Sequence, residues 1–196
     1  MQPEWEELSL PERCGRVRSF NELARSNSED IAHLIALETG RPITSARVIV
    51  AWGIQYFEAY LEMADKYLSP QITFQTASEI HRIYREPWGV VGCITPWNFP
   101  FLNVPWQCGQ ALIAGNTIVY KNSEKDPLFG QLLADLIDRS DLPSGVFNVL
   151  HGDGQVGRWI LESDIDLISF TGSTKTGQEV AKLAAKKFIP YVAELG

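Results

Sequence analysis

Hydrophobic positions change their period twice along this chain. Over residues 16–37, Val17, Phe20, Leu23, Ile31, Leu34 and Ile35 recur at helical spacing, broken by the polar run at 26–30, where Ser28 is placed to cap a second helix with Glu29 and Asp30 in its first turn. Gly40 and Pro42 stop that helix. Thr44 opens a longer one, with an apolar stripe through Val48, Trp52, Tyr56, Ala59, Tyr60 and Met63, ending before Ser69 and Pro70. The chain up to there is predicted helical. Residues 72–85 form two short segments around a polar turn, Ile72 and Phe74 on one face, which predicts a β-hairpin.

From residue 90 the pattern becomes one of short, nearly continuous apolar runs: VVGCI (90–94), TIVYK (117–121), VFNVL (146–150), LISF (167–170) and IPYVAEL (189–195). Helix-like sequence separates them near 101–114, 127–138, 155–162 and 174–187. Strand and helix in alternation, with strands apolar on both faces, predict an α/β fold: a doubly wound parallel sheet preceded by helices and a hairpin.

Composition narrows the partners. The chain has 196 residues, 45% of them hydrophobic, and a net charge of −7. At this length folding hides roughly 70% of the unfolded surface, enough for one core without disulfide or metal staples. The acidic balance and the lack of a basic run argue against a nucleic-acid or membrane-surface partner. No apolar stretch has the length of a membrane helix, and the acidic start lacks the basic region of a secretory signal, so a cytoplasmic chain is expected. Cys14, Cys93 and Cys108 fit neither a disulfide framework nor a zinc site. Cys93 and Cys108 read as small buried hydrophobes and Cys14 as a helix-surface thiol.

In an open parallel sheet ligands bind beyond the carboxyl ends of the strands, so the residues leaving each strand are the candidates. The first run exits into Thr95-Pro96-Trp97-Asn98-Phe99-Pro100, where the Asn98 amide either holds its own turn or offers two donors to a ligand. The second exits with Lys121 and, three residues on, Glu124: a solvated pair, or a cation for phosphate and a carboxylate for ribose hydroxyls. Gly152, Gly154 and Gly157 fit the GxGxxG spacing of a dinucleotide turn and equally that of a capped helix start. The run from Thr171 to Gly177, with Gly172 and Ser173, opens a helix whose free N–H groups suit a phosphate or an ordinary cap. Glu194 ends the last strand after Val192 and Ala193, where partial desolvation would favour a general base, although a lone strand-end glutamate is more often structural. The three histidines form no cluster, and no metal site is expected.

The strings PWNFP (96–100), GNTIVYKNSE (115–124), FTGSTKTG (170–177) and ELG (194–196), with ETGRP (38–42) and PWGVVG (87–92), together resemble the aldehyde dehydrogenase superfamily. The resemblance implies NAD(P)-dependent oxidation of an aldehyde to an acid through a cysteine-bound thioester, on a Rossmann-like sheet. It implies roles residue by residue. Asn98 resembles the oxyanion donor and Glu194 the base that activates water. Thr95, Pro96 and Trp97 resemble the wall beside the cofactor, and Lys121 and Glu124 the ribose contacts. Gly154 and Gly157 resemble the adenine side, Gly172 and Ser173 the pyrophosphate contact, and Leu195 the backbone near the nicotinamide. The hairpin at 72–85 resembles the family's oligomerisation arm, so a homo-oligomer is expected. NAD is the expected cofactor, with NADP possible, and a small aldehyde the expected substrate of the parent enzyme. Two departures stand out: no cysteine occupies the nucleophile's place, which would lie beyond Gly196, and a leader common in the family is missing ahead of Trp5. Residues 1–196 are accordingly expected to be the cofactor-binding part, inactive alone. The alternative is a truncated, non-catalytic nucleotide-binding or oligomerisation module.

Overall fold

The computed structural model describes all of residues 1–196. Four helices come first: α1 (Gln2–Glu7), α2 (Leu10–Ser26), α3 (Ser28–Thr39) and α4 (Ile43–Leu68). Asn27, not Ser28, is the cap residue of α3; Ser28 is already helical. Gly40 ends α3 in the left-handed conformation, which a glycine adopts without steric cost. The hairpin follows as antiparallel β1 (Gln71–Gln75) and β2 (Ile80–Ile83), exposed along its whole length.

The remaining chain alternates as predicted. β3 (Val90–Ile94) leads into α5 (Pro100–Asn103), a π-helical turn (Val104–Gly109) and α6 (Gln110–Ile113). Then come β4 (Thr117–Lys121), α7 (Pro127–Asp138), β5 (Phe147–Leu150), α8 (Gly154–Glu162), β6 (Leu167–Gly172), α9 (Thr174–Lys187) and β7 (Tyr191–Leu195). The five strands from β3 to β7 pair in parallel in the order β5-β4-β3-β6-β7. The chain therefore winds outward from β3 to one edge, returns, and winds to the other, so the direction reverses between β3 and β6.

Strand pleating divides the core. Val91 and Cys93 of β3 join the large cluster under α2, α4, α5 and α7, whereas Ile94 turns to the smaller cluster of Ile160, Leu161, Ile168, Phe170 and Val180 beneath α8 and α9. Cys93 and Cys108 are fully buried, as expected of small hydrophobes, while Cys14 is half-buried against the large cluster.

The orientation of α4 corrects the sequence reading. Its buried face is Ala46, Ile49, Val50, Gly53, Ile54, Phe57, Leu61 and Ala64, and the stripe of Val48, Trp52, Tyr56 and Met63 is 40–49% exposed. The exposed stripe is as rich in large aliphatic and aromatic side chains as the buried one, so periodicity alone does not choose between these two faces. Small residues choose it: a Cβ on Gly53 would lie 2.5 Å from the Phe101 ring.

Candidate functional site

The ends of β3, β4 and β6 and the starts of α8 and α9 enclose a cleft of about 400 Å³. It lies where the winding reverses, the place at which open α/β sheets leave a crevice. Thr95, Pro96, Trp97, Lys121, Glu124, Gly154, Gly157, Gly172 and Ser173 all line it. Residues read separately from four strand ends thus meet in one cavity.

Each is placed by local chemistry. Thr95 turns its hydroxyl inward, donating to the buried Tyr120 Oη at 2.8 Å, so it offers the cleft its backbone and methyl. Trp97 is exposed at the rim under the Lys125 ammonium, 5.2 Å from the ring centre. Lys121 is only 3% exposed; its Nζ donates to Asn122 O at 2.8 Å and lies 3.7 Å from Glu124 Oε2. Desolvation pulls the ammonium's pKa below the usual lysine range, opposed by Glu124, Asp126 and Asp153. The Gly152 turn (φ 148°) delivers the chain to α8, where Asp153 Oδ1 accepts from Gln155 N at 2.8 Å. Asp153 is therefore a helix cap. A Cβ on Gly154 would meet nothing within 4 Å, and one on Gly157 would rest 3.6 Å from Ile94 and 3.8 Å from the Lys121 stem. Both glycines leave open floor. Ser173 caps α9 by accepting from Thr176 N at 3.2 Å.

Three candidate residues lie outside this cleft. Asn98 is exposed, and its side-chain amide makes no hydrogen bond; the loop is held instead through its carbonyl, which accepts from Arg41, and Arg41 also covers the Phe99 ring at 5.2 Å. The amide is thus not spent on its own turn. Glu194 is exposed, which corrects the expected desolvation: β7 is an edge strand that pairs with β6 on one side only. It lines a second, larger groove of about 930 Å³ with Trp106, Gln107 and Val192, and this groove meets the cleft at Phe170 and Thr171. Leu195 packs on the first turn of α9, where a Cβ on Gly177 would come within 2.3 Å of it.

Sequence reasoning missed Ser123, Lys125, Arg158 and Thr176, which also line the cleft. Arg158 directly follows the last glycine of the GxGxxG turn, and that adjacency was the available signal.

No helix is long and apolar enough to cross a membrane. The sequence pattern of the aldehyde dehydrogenase family matches residues 1–196 in full. The chain is 37% identical to a betaine aldehyde dehydrogenase of Bacillus subtilis, covering 98% of this chain and 40% of that protein. It is 38% identical to the NADP/NAD-dependent aldehyde dehydrogenase PuuC of Escherichia coli, covering 91% and 37%. Among solved structures, an aldehyde dehydrogenase of Bartonella henselae superposes with a TM-score of 0.92 at 37% identity, over 100% of this chain and 41% of that one. PnpE in complex with nicotinamide adenine dinucleotide superposes at 0.91 and 36% identity, over 99% and 40%. The chain thus spans about two-fifths of the relatives it matches, and within that span both its sequence and its overall fold match them: it belongs to the aldehyde dehydrogenase family.

Proposed function

We propose that the protein containing this chain oxidises an aldehyde to the carboxylic acid with NAD, and less readily with NADP, and that these residues supply the cofactor cleft, the oxyanion donor and the base. The observation that carries the reading is the convergence of nine candidate cofactor residues in one cleft at the reversal point of the sheet. The cleft fits the adenosine half of a dinucleotide: open floor at Gly154, a cation at Lys121, a carboxylate at Glu124 and helix N-termini at Gly154 and Thr174. A nicotinamide bound beyond this cleft would supply the hydride acceptor for the substrate carbon. Asn98 brings two unspent amide donors to the carbonyl oxygen as charge develops there, worth about 3 kcal/mol in sites of this kind. Glu194, facing solvent, takes a proton from the water that hydrolyses the acyl-enzyme.

The thiol that carries the acyl group lies outside this chain. Cys93 and Cys108 are fully buried, and burial pushes the Cys108 thiol well above its usual range; Cys14 is raised by the same cause. None lines either groove. The folded 196-residue chain is therefore expected to bind NAD in calorimetry yet to form no NADH when an aldehyde is added. Turnover that Glu194→Gln abolishes would overturn the inactivity, and a folded chain that ignores NAD would overturn the cofactor assignment.

NAD should bind more tightly than NADP, because an ionised Glu124 accepts from ribose hydroxyls and repels a 2′-phosphate; Lys121 and Arg158 in the same cleft moderate the difference. Titration of both cofactors against wild type and Glu124→Gln checks this, and equal wild-type affinities would count against it.

The hairpin is proposed as an oligomerisation arm. Ile72, Phe74, Ile80 and Ile83 are 46–53% exposed on a two-stranded ribbon that pairs with no other strand of the chain. Light scattering over a dilution series is expected to find dimers or larger species, shifted toward monomer by Phe74→Lys. A monomer that persists at high concentration would contradict this.

A further inference from the structure

The end of β4 and the loop after it carry Lys121 and Glu124 into the cleft, and the loop leads directly into α7. Its centre is the Asn122 side chain, which is 1% exposed. The Nδ2 group donates to Ser123 O at 3.0 Å, to Asp126 O at 2.7 Å and to Asp126 Oδ1 at 3.2 Å. From the other direction Lys121 Nζ holds Asn122 O at 2.8 Å. α7 closes the far side so tightly that a Cβ on Gly130 would lie 2.4 Å from Asn122 Oδ1.

Asp126 immediately precedes α7, the usual place for an aspartate that caps a helix, but its side chain caps nothing. The free amides of Leu128 and Phe129 are taken by the Glu38 carboxylate from α3, at 2.7 and 2.9 Å. The Asp126 carboxyl is 0% exposed and spends its one contact on the Asn122 amide. Asn122 Oδ1 and Asp126 Oδ2 are both buried without a partner. A loop that only had to turn would not bury an amide and a carboxyl with two acceptors unmet, since each such group carries a desolvation cost.

We propose that Asn122 and Asp126 are positioning residues that fix Lys121 and Glu124 at the edge of the cleft, and that the charge on Asp126 sets how firmly the loop presents them to a bound ribose. The first half stands on the loop geometry alone; the second rests on the cofactor reading above. The titratable groups facing Asp126 are Glu38 from α3 and Lys121 and Tyr120 from β4. With Asp126 neutral, its buried Oδ2 carries a proton in place of an unmet charge, and the Lys121 ammonium is left to Glu124 and the ligand. With Asp126 ionised, a second carboxylate competes with Glu124 for that ammonium from inside the loop. Burial, aided by the Glu38 charge, pushes Asp126 up to about 7 against the opposing pull of Asn122 and Lys121, so both states are reached at ordinary pH.

The isotope-labelled 196-residue chain tests this by NMR, following the Asp126 carboxyl carbon and the Lys121 and Glu124 amides between about pH 5.5 and 8.5, with and without NAD. The two amides are expected to move with the Asp126 midpoint, and that movement should vanish in Asp126→Asn. The dissociation constant for NAD should rise roughly tenfold across the range in wild type and stay flat in Asp126→Asn, a change of pH profile that a merely structural role would not produce. Asn122→Ala should displace both amides and weaken NAD at every pH; if it does not fold, Asp126→Asn carries the test. Amides that ignore the Asp126 titration, or an Asp126→Asn protein that keeps the wild-type pH response, would overturn the proposal. Amides that follow Asp126 in a chain that binds no NAD would uphold the positioning and refute the cofactor reading instead.

Discussion

Asp126→Asn is expected to leave the protein more stable than wild type above pH 7, by up to about 4 kcal/mol, and nearly equal to it below pH 4. Burial raises the Asp126 carboxyl from the ordinary 3.8 to about 7 in the folded state, with Glu38 adding to the shift and Asn122 and Lys121 opposing it. The folded protein then holds a proton that the unfolded chain releases, so the stability this group contributes is fully present below its unfolded pKa. It is lost as pH rises from about 4 to 7 and is constant above that. Asparagine keeps the shape and the acceptor facing Asn122 Nδ2, and cannot ionise. Urea unfolding of both proteins at several pH values checks the expectation through their difference, because other groups titrate alike in each. A difference that stays constant with pH would show that Asp126 is already ionised without penalty in the fold.

Removing the indole of Trp5 should cost about 3–5 kcal/mol, the usual range for truncating a buried aromatic. Trp5 is 1% exposed, and its Nε1 donates to Leu112 O at 3.1 Å across 107 residues of sequence. Gln2, one turn earlier, donates to Gly115 O at 3.2 Å and accepts from Thr117 N at 2.9 Å. α1 is therefore stapled to the entrance of β4, and its loss would loosen the first residue of a central strand. Trp5→Ala should show the full cost in urea unfolding, while Trp5→Phe should recover the packing and forfeit only the hydrogen bond. A loss below about 1 kcal/mol for Trp5→Ala would mean that α1 docks without holding the sheet.

These two sites also mark where sequence reading stopped. The alternation of strands and helices was legible because buried parallel strands leave continuous apolar runs, and the cleft was legible because polar residues at strand ends, such as Lys121 and Gly172, converge by topology alone. α1 falls in the stretch predicted helical, but its docking left no such trace: six residues have too few positions to show which face is buried, and Gln2 and Trp5 find their partners more than a hundred residues away. The buried face of α4 was hidden because Val48, Trp52, Tyr56 and Met63 make a second large, mainly hydrophobic stripe beside Ile54 and Phe57, and the close approach of Phe101 to Gly53 decides between them. Asp126 was invisible for a different reason. A lone aspartate before a helix reads as a cap, and nothing in the sequence announces that Glu38 has taken that position.

The π-helical turn at Val104–Gly109 carries a consequence for insertions and deletions. A wide turn is an α-helix with one residue added, and each residue of an α-helix advances the chain by about 100°. The segment from Pro100 to Ile113 is continuously helical, so this extra residue fixes the rotational phase between its two ends. Upstream hangs the Asn98 loop; within the turn Gln107 reaches Thr171 Oγ1 at 2.7 Å, and Trp106 meets Tyr56 edge-on at 5.5 Å. Deleting one residue here would restore a regular helix and improve its backbone hydrogen bonding, yet it would swing Asn98 about a quarter turn around the axis relative to β6. Chain length between Pro100 and Ile113 is thus held by angle rather than by reach, and a single-residue change that a surface loop would absorb is amplified into a misdirected amide.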